Sequence, residues 1–214
     1  MSPNRTRGQS AGLTRQAVLR AALALADREG LKALSMRRIG QELGVEAMSL
    51  YQHVVSKDDL LDGLVEQVFT QAAPLMARAA SWREGLSEYA HVLLCTLLAH
   101  PNVLPLVITR PAITTQNLRT MESALMTLRS AGFTQERALD MLYAVADLVV
   151  GHAAVLAASG PEDQAQTGQT RAAAHPGSRE AFLLTEAARA RRSSGPGSRF
   201  DFALGAMLRG FDAS

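Results

Sequence analysis

The sequence predicts an all-α protein, and three observations support this fold class. Ala, Leu, Arg, Glu and Met, which favour helices, are frequent among the 214 residues, whereas runs of β-branched residues are rare. Apolar residues recur at helical spacing, and Ser or Thr stands where several helices would begin. With 47% hydrophobic and 20% charged residues, the composition is that of a globular chain.

The first sixty or so residues carry signals for three helices. Thr14 can cap the first helix and Ser35 the second. Gly44 supplies the positive φ of a tight turn, and a third short helix covers about 46–53. Two short helices joined by a tight turn, with another helix packed across them, form a helix-turn-helix, whose second helix enters the DNA major groove. We therefore predict a helix-turn-helix DNA-binding domain over residues 14–60.

The charge distribution agrees with a nucleic-acid partner for this region. Residues 1–57 hold nine Lys or Arg against four acids, a net charge of +5, whereas residues 58–214 hold thirteen against sixteen, a net charge of −3. A basic N-terminal region, which we call the head, on a mildly acidic remainder favours a polyanion partner for the head. Chance asymmetry explains this charge distribution equally well. Residues 1–13 are predicted to form a flexible basic arm, whose Arg5 and Arg7 either enter the minor groove or stay disordered.

Helical patterns continue through residues 61–214. A capping box that begins at Ser81 opens a helix carrying Cys95 in an apolar setting, where we expect a buried side chain. A proline-punctuated stretch follows, with one short apolar segment at 103–108. Thr134 can cap a long helix that is apolar nearly all round and is therefore expected to be buried on most sides.

The end of the chain combines a loop with an amphipathic helix. Residues 160–178, rich in Gly, Pro, Gln, Thr and Ala, predict a mobile loop, and a modest helix over 179–192 follows. Ser198 is expected to cap the last helix, whose apolar stripe is too extensive to leave in water. We predict that this stripe, together with the long apolar helix before it, holds two copies of the chain together: Phe200, Leu204, Met207, Leu208 and Phe211.

Several classes of function are disfavoured. The single cysteine excludes an internal disulfide and a Cys-based zinc site. We find no phosphate-binding glycine loop, nucleophile elbow or His-Glu metal helix, so we expect no enzyme activity, cofactor or bound metal. The N-terminal sequence has no long apolar stretch, which predicts a cytoplasmic protein without membrane attachment. A ligand-responsive regulator and a DNA-binding architectural protein without an effector remain, and the large apolar C-terminal half favours the regulator.

The segment LTRQAVLRAALALADREGLKALSMRRIGQELGVEAMSLYQHVVSKDDLLDGL resembles the N-terminal domain of the TetR family of repressors. The match includes the paired alanines of the first helix, the stop at Gly30, LGV at the turn, and the pattern that ends at Lys57. SWREGL, TRP at 109–111, AGFT at 131–134 and FDFALGAMLRGF near the end resemble the tetracycline-repressor branch. The resemblance implies a homodimer whose C-terminal helices form a dimerising four-helix bundle and a ligand pocket. A ligand then changes the spacing of the two heads and releases the operator, although activation in place of repression stays open.

The resemblance also implies roles for single residues of the head. Arg37 matches a base-reading arginine, and Ser35 lies in its backbone-contacting neighbourhood. Tyr51 and His53 match a phosphate-contacting aromatic residue and histidine, and Lys57 matches a lysine that holds phosphate at the start of the next helix. Two further positions, Met48 and Gln52, fall where the family varies. The predicted DNA-binding set is Ser35, Arg37, Arg38, Met48, Ser49, Tyr51, Gln52, His53 and Lys57.

The same resemblance argues against tetracycline as the effector. Tetracycline-binding members hold the drug and a magnesium ion with polar side chains. This chain has other residues at the matching positions: Ala73, Tyr89, Leu93, Val107 and Ala124. Because none is a metal ligand, we expect an apolar or aromatic small molecule bound without metal. Asp147 is either a polar group at the dimer interface or a ligand-contacting carboxylate. The predicted pocket comprises Tyr89, Leu93, Val107, Met121, Leu125 and Asp147.

Overall fold

The computed structural model describes residues 13–72, 76, 78–110, 114–158 and 196–211. Every regular element in these ranges is a helix, which confirms the all-α class. Nearly all of the predicted basic arm, Ala73, and the loop and helix expected between 160 and 192 lie outside the described residues. By its internal contacts the chain divides into two compact units, Met1–Gln135 and Glu136–Ser214.

The first unit begins with three helices: α1 (Arg15–Glu29), α2 (Met36–Leu43) and α3 (Ala47–Leu50). The two predicted caps are confirmed, since Thr14 Oγ1 accepts a hydrogen bond from Ala17 N at 3.1 Å and Ser35 Oγ accepts one from Arg38 N at 3.2 Å. The third helix is shorter than predicted, because only one turn is helical and the chain continues to His53 as a turn.

A compact apolar core forms where α1 packs against α2 and α4 (Lys57–Ala72) and α2 packs against α3. The predicted cap at Ser56 is confirmed, since its Oγ accepts a hydrogen bond from Asp59 N at 3.0 Å while Asp59 Oδ2 accepts one from Val55 N at 2.9 Å. These reciprocal bonds fix the direction in which the chain enters α4. The apolar side chains of the core have almost no accessible surface: Val18, Leu19, Ala22, Leu25, Leu34, Ile39, Leu50, Val54, Leu60 and Leu64.

The rest of the first unit is built around α4, which packs against α1, α5 (Trp82–Ala99), α6 (Leu104–Thr109) and α7 (Thr115–Ser130). The rings of Trp82 and Phe133 meet edge to face with centroids 5.0 Å apart, which joins the start of α5 to the turn after α7. The expectation that Cys95 is buried is wrong, because α5 turns other residues such as Leu93 and Leu97 inward and leaves Cys95 exposed.

The second unit contains α8 (Gln135–Ala158) and α9 (Pro196–Gly210). The rings of His152 and Phe200 lie 5.2 Å apart, and the Arg137 guanidinium lies 5.7 Å from the Phe211 ring centroid. Because the end of α8 meets the start of α9 and the start of α8 meets the end of α9, the two helices are antiparallel. The prediction that Ser198 caps α9 is wrong: the helix begins two residues earlier, at a proline, whose missing N–H is not needed in a first turn.

The expectation that α8 is buried on most sides is also wrong for the single chain. Its inward stripe is buried at Met141, Val145 and Val149, but only 28% of its most apolar stretch is buried. Two large apolar residues outside this stripe, Tyr143 and Val155, are exposed. By length and composition α8 could cross a membrane, and the core helices of soluble proteins meet the same criterion.

Candidate nucleic-acid interface and effector pocket

The turn between α2 and α3 depends on two glycines. Gly44 adopts φ 67°, the left-handed conformation predicted for the tight turn. Val45 N then donates a hydrogen bond to Gly40 O at 2.9 Å. A Cβ atom on Gly40 would lie 2.8 Å from Val45 O, so only glycine lets the turn approach α2 this closely. Sequence reasoning did not identify Gly40, although a glycine inside a short helix is itself a signal, since it weakens the helix unless something requires it.

The structure places most of the predicted DNA-binding residues at the protein surface. They come from the first turn of α2, from α3 and the turn after it, and from the start of α4. Leu50, between them, is buried and anchors α3 to the core. Ser49 and His53 are half-buried. The remaining predicted residues are exposed: Ser35, Arg37, Arg38, Met48, Tyr51, Gln52 and Lys57.

The exposed cations of this surface differ in their pairing. Arg38 forms an ion pair with Glu29, which offsets its charge. Among the residues that the structure describes, Arg37 and Lys57 have no carboxylate partner. Phosphate oxygens and the guanine edge are the groups that an unpaired arginine or lysine binds best on DNA. Arg37 and Lys57 are therefore better placed for DNA contact than Arg38.

A two-part ion pair ties the end of α6 to the start of α4. The two terminal nitrogens of Arg110 donate to Asp58 Oδ1 at 2.6 Å and to Asp62 Oδ1 at 2.7 Å. These two hydrogen bonds raise the pKa of Arg110 above its ordinary value, and the bond to Asp58 has the larger effect. Because Asp58 follows Lys57 directly, Arg110 is fixed to the helix turn that presents a predicted phosphate contact.

A second set of contacts fixes the turn before α6 to the end of α1. At the C-terminal end of α1, Asn102 Nδ2 donates to the carbonyl oxygens of Ala26 at 2.9 Å and Asp27 at 3.2 Å, and the Ala26 oxygen also accepts a hydrogen bond from Gly30 N. His100 Nδ1 lies 2.8 Å from Asp27 Oδ2. Residues 100–110, which we call the bridging segment, are thus anchored at both ends to helices of the head. The sequence carries no pairing signal for these contacts, because the partners are far apart along the chain.

The predicted pocket residues of the first unit fall into two groups. Tyr89, Val107, Met121 and Leu125 keep accessible surface, whereas Leu93 has none and belongs to the core packing of α5. Burial raises the pKa of Tyr89 to about 12, so its hydroxyl is neutral at physiological pH. Its neighbours therefore desolvate the hydroxyl even though part of the side chain stays accessible.

Two further polar residues, Asp147 and Asn117, have opposite surroundings. Asp147 is exposed on α8, in the second unit. Asn117, on the same face of α7 as Met121, is only 5% exposed, and neither its amide oxygen nor its amide nitrogen has a hydrogen-bond partner in the described part of the protein. Sequence reasoning missed Asn117, because nothing in a single sequence distinguishes a buried amide from an exposed one.

Two family descriptions match the sequence. Residues 18–64 match "Bacterial regulatory proteins, tetR family", and residues 74–214 match "Tetracyclin repressor-like, C-terminal domain". The first match covers the helix-turn-helix and the start of α4, and the second covers most of the remaining chain.

Individual relatives agree with these matches. Tetracycline repressor protein class E of Escherichia coli is 33% identical over 201 residues, which are 92% of this chain and 89% of that protein. HTH-type transcriptional repressor DrrR1 of Streptomyces coeruleorubidus is 34% identical over 149 residues, 69% of this chain, so the match spans only 55% of the length of that relative. Among solved structures, apo ActR from Streptomyces coelicolor superposes with a TM-score of 0.78 at 28% identity, over 95% of this chain and 96% of its own. The structure of ActR in complex with actinorhodin superposes with a TM-score of 0.75.

A helix-turn-helix whose surface carries cations without carboxylate partners in the described part of the chain, followed by a helical body, agrees with the DNA-binding transcriptional regulators that these matches describe. The chain belongs to the TetR family, in the branch with a tetracycline-repressor-like C-terminal domain.

Proposed function

We propose that this protein is a cytoplasmic, ligand-responsive repressor that binds a palindromic operator as a homodimer and releases it when a small apolar effector binds. The observation that carries the proposal is the surface formed by α2, α3 and the start of α4. There Arg37 and Lys57 are exposed and have no carboxylate partner among the described residues, beside a short helix anchored by Leu50. A second copy related by a two-fold axis would present the same surface to the other half of a palindrome.

The exposed apolar side of α8 and α9 supports a dimer. Phe200, Leu204 and Leu208 of the predicted interface are buried within the single chain, so their burial needs no partner. Phe202, on the outward side of α9, is 75% exposed. We therefore propose an interface on the exposed apolar residues of the two helices instead. It comprises Tyr143, Val155 and Phe202, with the half-buried Met207 and Phe211 at its margin.

An apolar effector fits the pocket residues that keep accessible surface. Val107, Met121 and Leu125 offer apolar contacts, and the neutral hydroxyl of Tyr89 offers one hydrogen bond. The similarity to ActR, solved in complex with actinorhodin, supports a small-molecule effector. Because Val107 lies in the bridging segment, an effector that displaces it would also displace the anchors on α1 and α4.

Footprinting on DNA that flanks the gene for this protein tests the DNA-binding part. We expect protection of a palindrome whose half-sites are about one helical turn, roughly 34 Å, or more apart. Lys57→Ala should weaken binding to all sequences and reduce the slope of log affinity against log salt by about 0.9 for each phosphate that the lysine neutralises. Arg37→Ala should instead relax preference at one base pair by about 1–3 kcal/mol. Wild-type affinity and salt slope in both variants would contradict this docking.

Titration of the protein–operator complex with lipophilic compounds tests the effector part. We expect release by an apolar or aromatic compound, unaffected by a chelator and impaired in Tyr89→Ala. Release by micromolar tetracycline that a chelator abolishes would show instead that a metal–drug chelate is the effector. Suppose that no compound dissociates the protein–operator complex, and that deleting the gene for this protein lowers transcription from the operator. This result would favour an activator or architectural role.

A further inference from the structure

The surface formed by α2, α3 and the start of α4 carries an aliphatic side chain that its surroundings leave largely uncovered. Met48 lies in α3 and is 73% exposed. Leu50, two residues further and therefore about 200° around the helix, is fully buried and fixes the rotation of α3 about its axis. The Met48 thioether consequently faces away from the core, on the side that carries the polar residues predicted to meet DNA.

Among the groups that the DNA major groove exposes, only one is apolar. Guanine, adenine and cytosine present hydrogen-bond donors and acceptors on their groove edges, whereas thymine presents a carbonyl oxygen and the C5-methyl group. A methionine has no donor to offer a base or a phosphate, and its flexible, polarisable side chain adapts to small apolar groups. Contact with a thymine methyl is therefore the interaction with a base edge that lets Met48 bury its surface.

We propose that Met48 is a specificity-determining residue that reads one thymine in each operator half-site through the C5-methyl group. This inference rests on the proposed function, because it requires that α3 enters the major groove. The neighbouring cations supply affinity without distinguishing bases at this position, since Lys57 is predicted to meet phosphate and Arg37 a guanine edge. Met48 adds discrimination by shape and by burial of a methyl group.

The chain offers a matched control. Val55 is also apolar and is 77% exposed, but it lies after α3, in the link that enters α4, where its N–H is bonded to Asp59. A general need for apolar surface near the DNA would make both residues important to the same degree. If α3 reads the thymine methyl group, recognition should depend on Met48 and not on Val55.

The test uses duplexes that the full-length wild-type protein selects from a random library. Each thymine of the selected half-site is replaced in turn by deoxyuridine, which removes only the C5-methyl group. At one position we expect about fourfold weaker binding for each half-site substituted, since burial of one such carbon is worth about 0.8 kcal/mol. In Met48→Ala the ratio of affinities for thymine and deoxyuridine should fall to about one at that position. Met48→Leu and Val55→Ala should keep the wild-type ratio.

The affinity of Met48→Ala stays measurable at low salt concentration, because the phosphate contacts then supply most of the binding. If no duplex is selected at all, the proposed DNA-binding function fails. If duplexes are selected but no deoxyuridine weakens binding, or if Met48→Ala keeps the full wild-type ratio, the function stands and the methyl-reading role is overturned. A ratio that falls equally in Val55→Ala would also overturn it, because α3 would then not be the reader.

Discussion

The head formed by α1–α3 and the start of α4 has its helix caps and its apolar core within about fifty residues, whereas the later helices leave a large apolar side chain exposed and a buried amide unpaired. In the head, Thr14, Ser35 and Ser56 cap their helices and the core has almost no accessible surface. In the later helices, Phe202 is exposed and the Asn117 amide is buried without a partner among the described residues. The caps and core of the head are therefore specified locally, while the exposed surface of the later helices is, under the proposed function, the part that meets a second chain.

The largest expected effect separates the two faces of α9. Leu204→Glu places a charge in the core of the chain and should cost several kcal/mol, enough to unfold the second unit. Phe202→Glu changes only the exposed face and should keep the helical circular dichroism while converting dimers to monomers in sedimentation. A stably folded Leu204→Glu monomer would show that the inner and outer faces are assigned the wrong way round.

A pair of glycine substitutions compares the head with α8. Gly40→Ala forces a Cβ atom to within 2.8 Å of Val45 O and should lower the free energy of unfolding by about 2–3 kcal/mol, with loss of operator binding. Gly151→Ala meets nothing within 4 Å in the single chain and should raise stability by about 0.5–1 kcal/mol, as alanine does in a helix. Chemical denaturation measures both. A destabilising Gly151→Ala would reveal a second chain packed closely against α8.

Alkaline pH tests the desolvated hydroxyl of Tyr89. Because its folded-state pKa, about 12, lies above the unfolded value of 10.0, the folded protein binds more protons between these two pH values. Stability should therefore be unaffected below pH 10 and fall by about 2 kcal/mol as the pH rises from 10 to 12. Tyr89→Phe should remove this component of the decline when the two proteins are denatured side by side. Parallel curves for the two proteins would contradict the burial of the hydroxyl.

The smallest expected effect concerns the buried amide of Asn117. Asn117→Leu has a similar shape and removes two unpaired polar atoms, so it should raise the free energy of unfolding by about 1 kcal/mol. Gln116→Leu, which changes an exposed amide one residue earlier, should stay within about 0.5 kcal/mol of the wild type. If the Asn117 variant is instead less stable than the wild type, bound water satisfies the amide.

Local signals explain how much could be predicted from the sequence. The caps at Thr14, Ser35 and Ser56 and the turn at Gly44 each depend on residues within a few positions of one another, so the helix-turn-helix was predictable element by element. The resemblance to the family then indicated Arg37, Tyr51, His53 and Lys57.

Long-range pairing explains most of what could not be predicted. Arg110 meets Asp58 and Asp62 across about fifty residues, and a single sequence carries no record of such a pair. The side of a helix that faces inward was equally ambiguous where most residues are apolar. For that reason the sequence wrongly places Cys95 in the core, and it does not show that the chain itself buries Phe200, Leu204 and Leu208.

The bridging segment behaves as a strut of fixed length. Asn102 fixes one end of the segment to α1, Arg110 fixes the other end to α4, and Val107 lies between them. Inserting one residue between the ends would turn everything beyond it by about 100° and move it by about 1.5 Å, which carries Arg110 away from its two carboxylates. Val103, Leu104 and Leu106 hold this segment in the core, whereas a side chain that keeps accessible surface, such as Val107, can vary, and with it the effector of the proposed function. The number of residues between the two ends must stay constant.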